Sequence, residues 1–194
     1  MCIRDRATTV FVWTLSYQSL YSIWSYHGQL RYGWNAEQVG WSLAAVGLTG
    51  AIVQGFLGRK LIPRFGQRRI IWLGIMSALA GYSIYAAADV GWMVYVGIAI
   101  SACQGLVFPC LQGLMSAEIP PSEQGELQGA VASIQSLSAI IGPPLMTTVF
   151  SRFSADGAAV YAPGAPFVVS LIFVGVTAML YFRAQGAGRA VPAE

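Results

Sequence analysis

Long apolar stretches separated by short polar punctuation organise this sequence. The first runs over about residues 7–29 and carries more polar side chains than the others. The second, about 38–57, follows the turn-like Gly33-Trp34-Asn35. The third covers about 70–88. The fourth begins near Trp92 and stops before Glu118-Ile119-Pro120-Pro121, where two prolines prevent a helix from continuing. The fifth covers about 123–150 and the sixth about 165–182. A bilayer core about 30 Å thick takes roughly 20 apolar residues to cross as a helix. Every stretch approaches that length, so the pattern predicts six transmembrane helices. Barrel strands would be about half as long and would alternate apolar with polar positions. Helices also pair their own backbone groups in lipid. The predicted fold class is therefore all-α, an integral membrane six-helix bundle.

Composition sharpens that picture. Of 194 residues, 56% are hydrophobic and 10% charged, with a mean hydropathy of +0.59. Lysine and arginine alternate between connections: Arg4, Arg6, Arg59, Lys60, Arg64, Arg68, Arg69, Arg183 and Arg189 fall on one side, Arg31 and Arg152 on the other. The basic-rich side is the cytoplasmic one, which predicts a multi-pass inner-membrane protein with a cytoplasmic C-terminus. Trp34, Trp41, Trp72, Trp92, Tyr161 and Tyr181 near span ends suit interfacial belts. The net charge of +3 sits between spans rather than on a folded face, so no nucleic-acid partner is expected. Cys2, Cys103 and Cys110 have no metal-like spacing and read as packing residues. No metal or cofactor is expected. The opening Met1-Cys2-Ile3-Arg4-Asp5-Arg6 fits nothing that follows and reads as a non-native leader at the edge of a fragment. The expected division is 1–6 leader, 7–183 transmembrane domain and 184–194 cytoplasmic tail.

Polar residues inside the spans form stripes at three- and four-residue steps. Thr14, Gln18, Tyr21, Ser22 and Ser25 share a face of the first span, and Ser101, Gln104, Phe108, Gln112 and Ser116 a face of the fourth. Gln124, Gln128 and Gln135 lie on the fifth, and Gln54 stands alone on the second. These faces read as lining a central aqueous cavity, with Tyr21, Trp24 and Phe108 adding aromatic surface. The other reading is helix-to-helix hydrogen bonding, worth about 0.6 kcal/mol per bond on average. In the second span Gly47, Gly50, Gln54 and Gly58 on one side, and Gly47, Ala51 and Gly55 on a neighbouring side, predict close helix approach. Gly142-Pro143-Pro144 removes backbone donors, predicts a bend or break in the fifth span, and marks Gly142 and Pro143 as a candidate moving segment. No Asp, Glu, Lys or Arg lies deep in a span, where a charge costs about 2.5–3.5 kcal/mol. Glu118, Glu123 and Glu126 cluster on the predicted cytoplasmic side, and His27 reads as an interfacial hydrogen-bonding residue. An intramembrane protease would need a serine beside glycines and a helical histidine base. That pairing is absent from the sequence, and no enzyme is expected.

The run GRKLIPRFGQRR, residues 58–69, resembles the motif that major facilitator transporters place after their second and eighth helices. Pro63 stands where the motif has an acid and Arg59 where it has its leading glycine; Gly66, Arg68 and Arg69 are retained. RYGWNAEQVGWSLAAVG (31–47), FPCLQGLMSAEIPPSEQGELQGAVASIQSLSAIIGPPL (108–145) and VYAPGAPF (160–167) resemble the tetracycline-resistance branch, the drug:proton antiporters of that superfamily. The resemblance implies the carboxy-terminal half of the fold, helices seven to twelve, with the first, second, fourth and fifth spans facing the cavity. It places Gln54 at a substrate-associated position and gives Gly58, Arg64, Gly66, Arg68 and Arg69 a conformational role. It implies proton-driven export of a drug-like or amphipathic solute, with the coupling acids in an amino-terminal half that this chain lacks. The expected partners are thus the lipid bilayer, a small-molecule substrate and protons carried by that half. A metabolite exporter of the same superfamily and a self-associating half-size membrane protein are the alternatives.

Overall fold

A computed structural model describes residues 3–155 and 160–187, with side chains described from Arg6 to Gln185 within those bounds. Cys2, Arg189 and the end of the 184–194 tail lie outside the described residues, as does the side chain of Arg4. Among the described residues there is no strand. The helices are α1 (Ile3–Tyr32), α2 (Ala36–Ile52), α3 (Gly58–Phe65), α4 (Gln67–Ala87), α5 (Gly91–Ser101), α6 (Val107–Ser116), α7 (Gln124–Ser154) and α8 (Ala165–Ala187). A π-helical turn, Val53–Leu57, joins α2 to α3, and a 3₁₀ turn, Ala102–Leu106, joins α5 to α6. Five continuous helices are long and apolar enough to cross a membrane: Ala36–Phe65, Gln67–Ala87, Gly91–Ser116, Pro121–Ser154 and Ala165–Gln185. The sixth long helix, α1, has 30 residues and a more polar sequence. Several of its hydroxyls are taken up inside the bundle. Thr9, Ser16 and Ser19 are fully buried, and Ser19 Oγ lies 2.7 Å from the donating Ser170 hydroxyl on α8.

Local chemistry explains the element ends. At the start of α2 the Gln38 amide donates to Asn35 Oδ1 (2.8 Å) and the Asn35 amide to Gln38 Oε1 (3.0 Å), a reciprocal cap. Gly66 separates α3 from α4 at φ +78°, a conformation that glycine adopts without a Cβ clash.

Two sequence expectations change here. The basic segment 58–69 is not a loop: α3 and the first turn of α4 occupy it, with Pro63 inside α3. Arginine and lysine are good helix formers, so the helix runs on after its apolar part ends. Nor is α7 broken at Gly142-Pro143-Pro144, since one helix spans Gln124–Ser154. The proline φ is compatible with a helix, and the Thr147 hydroxyl donates to the Pro143 carbonyl at 2.8 Å. Gly142 packs closely within that helix face: a Cβ there would stand 2.1 Å from Gln18 Cγ of α1.

α1 lies between α7 and α8, while α4 packs on α5, the 3₁₀ turn, α6 and α8. Ile70, Ile71, Ile75, Ala78 and Tyr82 of α4 form the buried spine. Small residues permit that crossing. A Cβ on Gly74 would meet Val107 Cγ2 at 2.3 Å, one on Gly81 would meet Ser101 Cβ at 2.4 Å, and one on Gly97 would meet Tyr85 Cε1 at 2.6 Å. By contrast Gly47 and Gly55 have open space where a Cβ would be, so the α2 stripe mediates no helix crossing among the described residues. Of the α2–α3 glycines only Gly58 packs tightly, 2.9 Å from Leu106 Cδ2. α2 and α7 leave most of their surfaces uncovered by the rest of the chain.

The antiparallel course sorts charges between two ends. Arg6, continuing the first turns of α1, bonds the Leu114 carbonyl and the Glu118 carboxylate beyond α6. Gln67 of α4 rests against Gly113 at the same end. At the opposite end Arg31 pairs with Asp89, and the Tyr32 hydroxyl donates to the Ala88 carbonyl at 3.2 Å. His27 is buried and hydrogen-bonded at this same end: its Nδ1 is 3.1 Å from the Pro163 carbonyl, an acceptor that requires the proton on Nδ1.

Candidate functional site

The two irregular turns meet, and they carry the two amides singled out on α2 and α5–α6. Gln54 sits in the π turn and Gln104 in the 3₁₀ turn. Such departures from α geometry mid-helix often mark functional positions. The 3₁₀ turn has a local cause. Pro109 offers no N–H to the Gly105 carbonyl four residues back, and its ring crowds that carbonyl, so the preceding turn tightens. Gly105 then brings its backbone to Gln54: a Cβ there would lie 3.1 Å from Gln54 Nε2.

Two adjoining cavities open around this junction. The first, about 300 Å³, is lined by Tyr21, Trp24, Gln54, Tyr85, Ser101 and Gln104 among others. The second, about 290 Å³, is lined by Trp13, Thr14, Gln18, Tyr21, Phe108 and Gln135 among others. Tyr17, Tyr21, Gln54 and Gly105 border both, and among the described residues no charged side chain lines either. Gly47, Gly50 and Ala51 face the first cavity. The small residues of α2 thus make room for contents, which accounts for their open surroundings.

The wall is made of amides and rings. Gln104 is 7% exposed, and its Oε1 has no hydrogen-bond partner. A buried acceptor without a partner costs about 1–3 kcal/mol, and the residue that carries this one lines the first cavity. Tyr21 is 80% exposed. It stacks on Tyr17 at a 6.5 Å centroid distance, and Tyr17 meets Trp13 edge-on at 5.5 Å, giving an aromatic ladder along α1. Trp24 is buried and held by a 2.9 Å bond from its Nε1 to Ser42 Oγ. Such a surface suits a ligand with planar apolar area and neutral hydrogen-bonding groups.

Seven of the nine side chains expected to line a cavity border these spaces: Gln18, Tyr21, Trp24, Gln54, Gln104, Phe108 and Gln135. Gln112 and Gln128 do not; Gln112 Nε2 donates to Gln128 Oε1 at 2.6 Å and ties α6 to α7. Gln124 likewise donates to the Ser116 and Ile119 carbonyls at 2.8 and 3.0 Å. Near this end α6 and α7 converge, so facing amides satisfy each other. Of the expected conformational residues, Gly58 packs on Leu106, Gly66 divides α3 from α4, and Gly142 receives Gln18. Pro143 remains helical, while Arg64, Arg68 and Arg69 are exposed at the Arg6–Glu118 end. Sequence reasoning missed Trp13, Tyr17, Tyr85 and Gly105. The four-residue spacing of Trp13, Tyr17 and Tyr21 was the available signal for the ladder, and Pro109 the signal for Gly105.

The Major Facilitator Superfamily model matches residues 7–194. The tetracycline resistance protein of class B from Escherichia coli is 30% identical over 167 residues, covering 85% of this chain and 41% of that protein. The class G protein from Vibrio anguillarum is 38% identical over 130 residues, 67% of this chain and 33% of the relative. Hippocampus abundant transcript-like protein 1 of Mus musculus is 24% identical over 148 residues, 76% of this chain and 29% of the relative. The chain therefore spans well under half the length of these relatives.

Proposed function

Because this chain belongs to the Major Facilitator Superfamily, a family of membrane transporters and not of enzymes, we propose that its junction cavities form one wall of a pathway exporting a drug-like or amphipathic solute. The opposite wall comes from an amino-terminal six-helix half, which also supplies the acids that couple export to protons. The largely uncovered surfaces of α2 and α7 suit that role, since both helices flank the cavities and much of each is uncovered by the described residues. The C-terminus is cytoplasmic in this reading, on the side of Arg59, Lys60, Arg64, Arg68 and Arg69. Gly58, Gly66, Gly142 and Pro143 are the positions about which the two halves would rearrange, with Arg64, Arg68 and Arg69 contacting the opposite half in one state.

The observation that carries the reading is the uncharged wall of amides and rings built on two distorted helix turns, with an unpartnered amide oxygen at Gln104. Transporters place non-helical backbone at membrane depth where it lines a cavity. In a full-length form, Gln54→Ala and Gln104→Ala are each expected to lower export about three- to tenfold, the worth of one lost hydrogen bond of about 1 kcal/mol. Membrane abundance stays unchanged. Export at the parental rate, or loss of protein in place of transport, contradicts the assignment.

A further inference from the structure

A separate cavity of about 480 Å³ lies at the Arg31–Asp89 end, between α7 and α8. Val149 and Phe153 of α7, Val168 and Val169 of α8, Tyr161 and Arg31 line it, and it shares no lining residue with the junction cavities. Along α7 the Gln18–Gly142 contact falls between Gln135, which lines the second junction cavity, and Val149, which lines this one. The connection into α8 is held in place on this side. The Ala162 amide donates to the Phe153 carbonyl at 2.9 Å, and the Ala165 amide to the Ala162 carbonyl at 2.9 Å. His27 Nδ1 donates to the Pro163 carbonyl at 3.1 Å. A Cβ on Gly164 would stand 2.5 Å from the Ala86 carbonyl oxygen, so the connection rests directly on α4. Arg31 is the one charged side chain in this lining among the described residues. Its Nε donates to the Ala88 carbonyl and its Nη2 pairs with the exposed carboxylate of Asp89. A guanidinium carries five N–H donors, and these two bonds leave Nη1 able to take a further acceptor. An exposed ion pair holds its partners only weakly.

We propose that this cavity binds a single-tailed amphipathic acid, with its carboxylate on Arg31 and its tail along Phe153, Val168 and Val169. The guanidinium favours an acid headgroup, because its N–H fork matches the two oxygens of a carboxylate. The rest of the lining favours an alkyl tail, whose burial removes apolar surface from water on both partners. Volume decides how many tails enter. At about 30 Å³ per water-sized group, the cavity has room for about sixteen such groups. That is one tail with its acid, and not the two tails of a phospholipid. The inference uses no residue of the junction cavities and stands whether or not they bind a drug.

The test is photocrosslinking of the purified chain, in phosphatidylcholine nanodiscs, with a diazirine derivative of dodecanoic acid. Adducts mapped by peptide mass spectrometry are expected in residues 149–153 and 161–169. Excess dodecanoate is expected to suppress them. Dodecanol, which lacks the acid, hexanoate, which lacks the tail length, and phosphatidylglycerol, which has two tails, compete far less. Arg31→Gln lowers labelling about tenfold, the worth of one charge-assisted hydrogen bond. Asp89→Asn breaks the same ion pair yet raises labelling, a split that a merely structural role for the pair does not produce. Val168→Trp fills the space and abolishes labelling. Helix content by circular dichroism stays at the parental level in all three variants. Equal competition by dodecanol or hexanoate overturns the proposal, as does unchanged labelling in Arg31→Gln or loss of labelling in Asp89→Asn. Displacement by phosphatidylglycerol as effective as that by dodecanoate assigns the cavity to a two-tailed lipid and overturns it too. Adducts confined to other segments do the same.

Discussion

Gly105→Leu is expected to reduce export by at least tenfold while the bundle stays folded. Gly105 borders both cavities, at the place where the π turn and the 3₁₀ turn touch. A Cβ added there meets the Gln54 amide at 3.1 Å, the far end of a flexible side chain, with no backbone atom among its close neighbours. The structure can therefore yield by swinging Gln54 aside. What it cannot restore is the open junction, because the leucine side chain occupies the space that both cavities share. A ligand spanning the two then loses both room and the Gln54 amide, and a tenfold loss corresponds to only about 1.4 kcal/mol. Gly105→Ala, which demands a few tenths of an ångström from Gln54, is expected to fall between parent and leucine. Export of a fluorescent amphipathic dye from cells making a full-length form, scored against immunoblot abundance, reads the series. Parental export by Gly105→Leu at normal abundance contradicts the site.

Gly81→Leu is expected to act on the fold itself. The α4–α5 crossing is so close there that even a methyl would stand 2.4 Å from Ser101 Cβ and 3.2 Å from Ser101 Cα. Neither atom is the end of a flexible chain, so the helices must separate. Separation would also strain the 2.9 Å hydrogen bond between the Tyr85 and Ser101 hydroxyls, which lies buried in the same contact. Overpacking a core costs about 1–3 kcal/mol or more, and about 3 kcal/mol moves the melting midpoint of a chain this size by on the order of 10 °C. Gly47→Leu, with nothing within 4 Å of the place its Cβ would take, is expected to leave the midpoint nearly unchanged. Thermal challenge followed by fluorescence-detected gel filtration separates the two. Equal midpoints for Gly81→Leu and the parent would mean that α4 and α5 are not in close contact.

The contrast between these glycines shows what the sequence made legible. Spans were readable because crossing a bilayer imposes a length and an apolarity that few other folds share. The α1 stripe was also readable, since an unbroken helix keeps its phase and Thr14, Gln18 and Tyr21 stay on one face. Phase alone does not give height along the bundle. Gln112 and Gln128 share a face with cavity residues, yet they sit where α6 and α7 converge and bond each other. The glycines of α2 looked like a crossing because spacing cannot tell a surface that touches a helix from one that borders a void. Gly74, Ala78 and Gly81, which do line a crossing, are spaced by four and then three residues, a helical face of the same kind that went unread beside the denser glycines of α2. The π turn at Gln54 left no mark in hydropathy. The basic stretch 58–69 read as a connection because its charges end the apolar run, although α3 continues beyond the depth at which apolar residues are needed.

The most direct test of the central claim is solvent access to the proposed wall. In a full-length form with Cys2, Cys103 and Cys110 replaced, single cysteines at Gln18, Gln54, Gln104 and Gln135 are to be treated with a membrane-impermeant thiol reagent. The account predicts labelling at all four in at least one transport state, and slower labelling when a transported solute is present. If all four stay unlabelled in every state, these side chains face protein or lipid, and the amide-and-aromatic wall is not a pathway.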